Sequence, residues 1–314
     1  MTHVEQISSN LGLKAGSVTA VINLLDDGNT IPFIARYRKE KTNSLDEEQI
    51  RDISKLVEKL RALDERRGTI IKSIDEQDKL TPKLKAELLA ADSITVLEDL
   101  YLPYRPKRRT RATMAKEKGL EPLADFIQMQ MHSRQNAAEL AKPFLTDDVS
   151  TVEEALAGAR DIVAETISDN AAVRQLLREK ALQWGRLIST KIAKGEDEKG
   201  VYELYYDYSN KIDRLQPHQI LAINRGETEK VLRVKVEIQE RDWILAVRSG
   251  YKPDRRSPLS EQLKLAMDDA AMRLLIPAIE RDVRRTLTET AESHAIHVFA
   301  QNLRGLLNQP PFAD

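Results

Sequence analysis

The sequence predicts an all-α, multihelical fold on three observations. Apolar residues recur at helical spacing along nearly the whole chain, capping signals stand ahead of several of these stripes, and the C-terminal third carries long amphipathic stripes. Val18, Val21, Ile22 and Leu25 form the first clear stripe, and Gly28 stands where a left-handed C-cap belongs. Ser44, ahead of Leu45-Asp46-Glu47, has capping-box spacing. Ile50, Ile53, Leu56, Val57, Leu60 and Leu63 follow on one face, and this helix is expected to run past Gly68 toward Ile74. Thr81-Pro82 reads as an N-cap and first-turn proline. Ser150 and Glu153 suggest another capping box, with Ala155, Leu156, Ala159, Val163 and Ile167 inward. The small residues Ala155, Ala157, Gly158 and Ala159 would admit a second helix closely.

Residues 201–247 are the exception to helical periodicity. Residues 231–238 alternate branched apolar side chains with Arg233, Lys235 and Glu237, the period of a half-buried strand. Residues 243–247 form a second strand across a 239–242 turn, or a helical turn; a hairpin would have to lie against helices. Next come a stripe through Leu259, Leu263, Met267, Ala270, Leu274 and Leu275, then one through Ile279, Val283, Leu287, Ala291, Ala295, Val298 and Leu306. Pro277 between them is expected to kink or divide the helix. Its second part would be roughly 40 Å long at about 1.5 Å per residue. The extended Pro310-Pro311 beyond it suggests a connection to something further on.

Composition narrows the function classes. With no cysteine, disulfides, a thiol nucleophile, thiolate zinc sites and Cys-ligated clusters are excluded. No apolar run has membrane-spanning length, the first residues are not a signal peptide, and a cytoplasmic address is expected. Lys and Arg number 49 against 50 Asp and Glu, a net charge of −1 that argues against coating nucleic acid by bulk charge.

That neutrality hides segregation. Between 104 and 118, Arg105, Lys107, Arg108, Arg109, Arg111, Lys116 and Lys118 stand against Glu117 alone, a local +6. Between 147 and 169, seven carboxylates stand against Arg160, a local −6. A smaller basic cluster holds Arg36, Arg38, Lys39 and Lys41 around Tyr37. The candidate nucleic-acid contacts are therefore Arg36, Arg38, Lys39, Arg105, Lys107, Arg108, Arg109 and Arg111. They would contact phosphates, bridge the acidic helix, or solvate a turn. Tyr202, Tyr205, Tyr206 and Tyr208 offer stacking faces to bases, or pack with their hydroxyls at the surface.

Catalytic signals are missing. There is no Walker A loop, Rossmann glycine fingerprint or Gly-x-Ser-x-Gly elbow. His294 and His297 lack a third metal ligand, and His218 follows Pro217 at an expected helix start. Asp46-Glu47-Glu48 and Asp147-Asp148 fit helix N-termini. The expectation is no enzyme, no catalytic residues, no metal and no cofactor.

Six segments, in order and spanning almost the whole chain, resemble the bacterial Tex family of transcription accessory proteins. They are TIPFIARYRKEKT (30–42), LEDLYLPYRPKRRTRA (97–112) with EKGLEPLA (117–124), EEALAGARDIVAE (153–165), ILAINRGE (220–227) and AIHVFAQNLRGLL (295–307). The resemblance implies the N-terminal part of a longer protein: right-handed helical bundles, a helix-turn-helix-like element and a long central helix. At most a minor extended segment or hairpin is expected near 231–247, and residues 243–247 are more compatible with a helix. It also implies absent RNase H-like, helix-hairpin-helix and OB-type RNA-binding domains, so the chain reads as a fragment. The expected division is 1–200, 201–257 and 258–314.

Departures from the family pattern are Asn43-Ser44, where glycine is usual, and Gln219 in place of arginine; residues 128–144 match poorly. The implied function is a helical scaffold of a factor that binds RNA or DNA, with RNA polymerase or other transcription factors as further partners. No catalytic residue carries across. The alternative is a protein-interaction module, docking on the transcription or translation machinery without touching nucleic acid.

Overall fold

Thr2 opens the first helix through a reciprocal box: its hydroxyl accepts from Glu5 N–H, and the Glu5 carboxylate accepts from Thr2 N–H. The structure is a computed structural model and describes residues 2–308. Contacts divide the chain into two compact units, Met1–Tyr104 and Arg105–Asp314, where sequence reading put divisions at 200 and 257.

The first unit comprises α1 (His3–Leu11), α2 (Ala15–Asp26), α3 (Ile31–Tyr37), α4 (Lys39–Thr42), α5 (Glu47–Asp75), α6 (Pro82–Ala90) and α7 (Ile94–Tyr101). Gly28, at φ 81°, turns the chain out of α2, and α5 runs through Gly68 as expected. Asp46, not Ser44, caps α5: its carboxylate accepts from Gln49 N–H at 2.8 Å, and Gln49 answers at 3.1 Å. Asn43 and Ser44 instead hold left-handed φ values of 54° and 60°, ending α4. A glycine would adopt that backbone without strain. One face of α5 buries Ile50 and Ile53 with Ile7, Val21 and Ile34; its far end buries Ile70 and Ile74 with Leu88 and Leu97.

The second unit begins with α8 (Arg111–Glu117), α9 (Glu121–Met129), α10 (Ala137–Ala141), α11 (Val152–Asp169) and α12 (Ala171–Trp184). Then come β1 (Arg186–Lys191), β2 (Asp207–Lys211), α13 (Pro217–Thr228), β3 (Leu232–Glu237), α14 (Glu240–Gly250), α15 (Ser260–Asp269) and α16 (Ile276–Leu307). Thr151 caps α11 with Glu154, one residue beyond the expected pair; Ser150 adds its own N–H and hydroxyl to the Glu154 carboxylate. Helices α8, α9 and α15 pack around α11, and one continuous core runs from Ala112 to Val283. The small-residue stripe is what lets them close in, since a Cβ on Gly158 would lie 2.4 Å from Leu120 Cδ1.

The strand at 231–238 is present as β3, but the hairpin with 243–247 is not. Trp243, Ala246 and Val247 have i, i+3, i+4 spacing and are buried on one face of α14. The partner of β3 is β1, and an antiparallel sheet of order β2-β1-β3 results. Ser257, buried, gives its hydroxyl to Met131 O and accepts from Leu259 N–H, fixing the approach to α15.

Pro277 does not end the C-terminal helix. Residues Ala270–Leu275 are π-helical, with Ile276 N–H bonded to Ala271 O five residues back. The wider turn fits a proline, which has no N–H for Arg273 O and crowds that carbonyl in a regular helix. Helix α16 then spans 32 residues, about 48 Å. Pro310-Pro311 lies outside the described residues. Among those described, the structure is dominated by helices, and none is long and apolar enough to cross a membrane.

Candidate nucleic-acid interface

In the first unit, Ile34 is fully buried and anchors α3, leaving Arg36 and Lys39 exposed with Tyr37 at 66% exposure. Arg38 behaves differently. Its guanidinium lies 5.0 Å from the Phe33 ring centroid and donates to Tyr37 O at 3.2 Å, so local packing already engages it. Among the described residues Arg36 and Lys39 make no ion pair.

In the second unit, residues 105–110 are irregular until Thr110 caps α8, its hydroxyl accepting from Thr113 N–H at 3.0 Å. Arg105, Arg108, Arg109 and Arg111 are exposed along this segment, but Lys107 turns inward. Its ammonium bonds the Asp169 carboxylate and lies 3.5 Å from Glu165, both on α11. Burial pushes the Asp169 carboxyl above the ordinary aspartate range, outweighing Lys107, which pulls the other way. Arg109 reaches Glu117 at 3.5 Å, an exposed pair of little strength. Lys116 pairs with Glu121, and Lys118 donates to Asp148 O. Arg105, Arg108 and Arg111 make no ion pair among the described residues.

The acidic helix is largely served by other cations. Arg160 holds Glu153 at 2.6 Å and Arg273 holds Asp161 at 3.1 Å. Burial raises the Asp161 pKa, with Arg273 and Arg111 opposing. A cavity of about 200 Å³ lies between α8 and α11, with Arg111, Lys118, Glu154 and Asp161 among its lining residues.

Other candidates resolve simply. No group of three His, Cys, Asp or Glu among the described residues is placed to hold a metal, and His294 and His297 are exposed on α16. Gln219 reaches back to Gln216 N–H at 3.0 Å and closes a box at the start of α13, beside exposed His218. Tyr202 is buried, Tyr206 donates its hydroxyl to Asp197, and Tyr208 packs edge-on to Tyr205. Sequence reasoning missed one basic surface, made by Arg186, Lys211, Arg233 and Lys235 on the sheet. Alternation in 231–238 had put two of these on one face, but the partner strands were needed to assemble the rest.

Residues 1–75 match the Tex-like protein N-terminal domain, and residues 132–299 match the Tex central region-like family. This chain belongs to the Tex family. An uncharacterized protein YdcI of Bacillus subtilis is 43% identical over 311 residues, covering 98% of this chain and 43% of that protein. The transcriptional accessory protein Tex of Neisseria gonorrhoeae is 38% identical over 312 residues, 97% of this chain and 41% of its own length. The human S1 RNA-binding domain-containing protein 1 is 30% identical over 321 residues, 98% of this chain and 32% of its own. The chain thus spans less than half the length of each of these relatives. Of the family segments, 30–42 supplies α3 and α4, while 97–112 runs from α7 through the basic segment into α8.

Proposed function

We infer that this chain is the helical scaffold of a transcription accessory protein that binds nucleic acid in its full-length form. Its auxiliary basic surface lies along the segment leading into α8. The observation that supports this is the exposed trio Arg105, Arg108 and Arg111, which make no ion pair among the described residues, whereas neighbouring Lys107 is consumed by α11. Arginine forks suit phosphate oxygens. The names of two relatives, one a transcriptional accessory protein and one carrying an S1 RNA-binding domain, agree with it. Arg36 and Lys39 offer a second, smaller contact, and the protein would work in the cytoplasm.

Reversing Arg105, Arg108 and Arg111 to glutamate is expected to weaken binding of RNA and duplex DNA about tenfold or more and to flatten its salt dependence. A folded triple variant with unchanged affinity would remove these positions from the interface. No catalytic role is assigned; cleavage by this chain that depends on a divalent metal would overturn that.

A second reading, protein docking, has one observation in its favour. On distal α16, Ile296, Phe299, Leu303 and Leu306 are exposed at spacings of three, four and three, a helical seam. RNA polymerase is the partner to test. Its retention by the chain after nuclease treatment, lost in Phe299→Asp, would favour this reading.

A further inference from the structure

Strand register puts a basic surface on the side of the sheet turned away from the core. Leu187, Val234 and Val236 are buried toward the helices, so their alternating neighbours form the opposite face. There Arg186 stands between Lys211 and Glu237, half-buried Ile188 between Ser209 and Lys235, and Thr190 between Asp207 and Arg233. The two carboxylates occupy opposite corners, Asp207 beside Ser209 and Thr190, and Glu237 at the bend of a run of cations that passes from Lys211 and Arg186 to Lys235 and Arg233. Among the described residues none of the four cations makes an ion pair. Arg186 leans toward β2, donating to Ser209 Oγ at 2.9 Å and Ser209 O at 3.2 Å rather than to Glu237.

Other cations of this unit, Arg105, Arg108 and Arg111 among them, also lack an ion pair among the described residues, so what sets these four apart is their placement together on one face of one sheet. The chain holds 49 basic against 50 acidic residues, and elsewhere in this unit Lys107, Arg160, Arg273 and Arg284 each hold a carboxylate. Four cations without one, on three adjacent strands about 5 Å apart, with Arg233 and Lys235 one step of about 7 Å apart along β3, concentrate positive potential on this face. Trp184 at the end of α12 borders the face at 41% exposure, with Lys211 Nζ 5.6 Å from its ring centroid. An exposed indole beside a cationic track is the combination that single strands use, phosphates on the track and a base on the ring.

We propose that the open face of the sheet binds the backbone of single-stranded nucleic acid, at a site separate from the segment before α8. The inference rests on the reading that the protein handles nucleic acid, and it assigns a second surface to that task. Charge complementarity selects the occupant, because the face carries four cations against two carboxylates and has a single half-buried apolar residue at its centre.

The test is the anisotropy of fluorescein-labelled oligo(U) and oligo(dT), and of a labelled duplex, with the 314-residue chain across a salt series. Two variants are compared, Lys211→Glu/Arg233→Glu/Lys235→Glu on the sheet and Arg105→Glu/Arg108→Glu/Arg111→Glu on the loop. The sheet variant is expected to lose about tenfold or more in single-strand affinity, and its salt slope to fall by about 2, at roughly 0.7 per phosphate contact. Oligonucleotide is also expected to quench Trp184, a response that Trp184→Phe abolishes, the other tryptophan, Trp243, being buried.

Wild-type affinity and slope in the sheet variant, with loss in the loop variant, would overturn this proposal and leave the previous one standing. Loss in the sheet variant alone would uphold this one and remove the loop. Binding of the duplex alone, or no binding even at low salt, would overturn it. If glutamates disturb the strands, Arg233→Ala/Lys235→Ala gives the same readout, because both side chains are exposed and leave no cavity.

Discussion

Lys107 and Arg108 are adjacent and carry the same charge, yet they have different tasks. Lys107 is held by two carboxylates of α11, and the surface charge that remains is arginine. Sequence could count these cations but not show which one turned inward, because that depends on where α11 lies. Asp169, partner of Lys107, has a pKa raised by burial. Between the ordinary aspartate value of about 4 and this raised value, the native state keeps a proton that the unfolded chain has released. Its contribution to stability therefore falls as pH rises through that window. Asp169→Asn fixes the uncharged form, so its stability relative to wild type should climb from about pH 4 upward; a flat or falling difference in urea titrations would contradict this. Gly158 gives a second test. Alanine there gains about 1 kcal/mol of helix propensity but overpacks the fully buried Leu120 by about 1–3 kcal/mol. Gly158→Ala should leave the protein level or destabilised, and Gly158→Val clearly destabilised. A gain of about 1 kcal/mol for alanine would mean that the contact yields freely.

Helices were legible in the sequence because their periodicity is long, whereas their caps slipped by one or two residues. Thr151 and Asp46 compete with Ser150 and Ser44 for the same role, and only the backbone decides between them. Strand β3 was legible for the same reason as the helices, six residues of strict alternation buried on every second position. Strands β1 and β2 were not: β2 reads Asp-Tyr-Ser-Asn-Lys, with no apolar alternation, and is defined by pairing with β1. The sheet has a protected outer edge. Val236 N–H, facing away from β1, donates to Glu280 of α16 at 2.8 Å. Glu280→Ala would leave that amide without its acceptor, at about 1–3 kcal/mol if water stays out, and its hydrogen exchange should quicken. Glu280→Gln retains a carbonyl oxygen and should restore protection. Equal exchange in all three proteins would show that the side chain does not cover this edge.

At the scale of the whole chain, the basic segment is also the boundary between units. Each unit has its own apolar core: Ile7, Val21 and Ile53 belong to one in the first, Ala155, Val163 and Leu263 to that of the second. The first residues beyond the boundary are irregular and rich in exposed arginine. Trypsin needs a mobile, exposed basic residue that no proline follows. Arg105, ahead of Pro106, and the mostly buried Arg174 and Arg178 of α12 fail that requirement, and Arg108 and Arg109 meet it. Brief digestion should therefore cut first after Arg108 or Arg109 and release two fragments that persist, identified by mass spectrometry. The same cleavage reports on function. If phosphates occupy this segment, RNA or DNA at low salt should slow cutting there and leave other sites unaffected, and added salt should remove the protection. Cutting that begins inside α11 or α16 would mean that the boundary is not the weakest point. Unprotected cutting at the boundary, under conditions where nucleic acid is bound, would move the interface elsewhere, with the open face of the sheet the next surface to footprint.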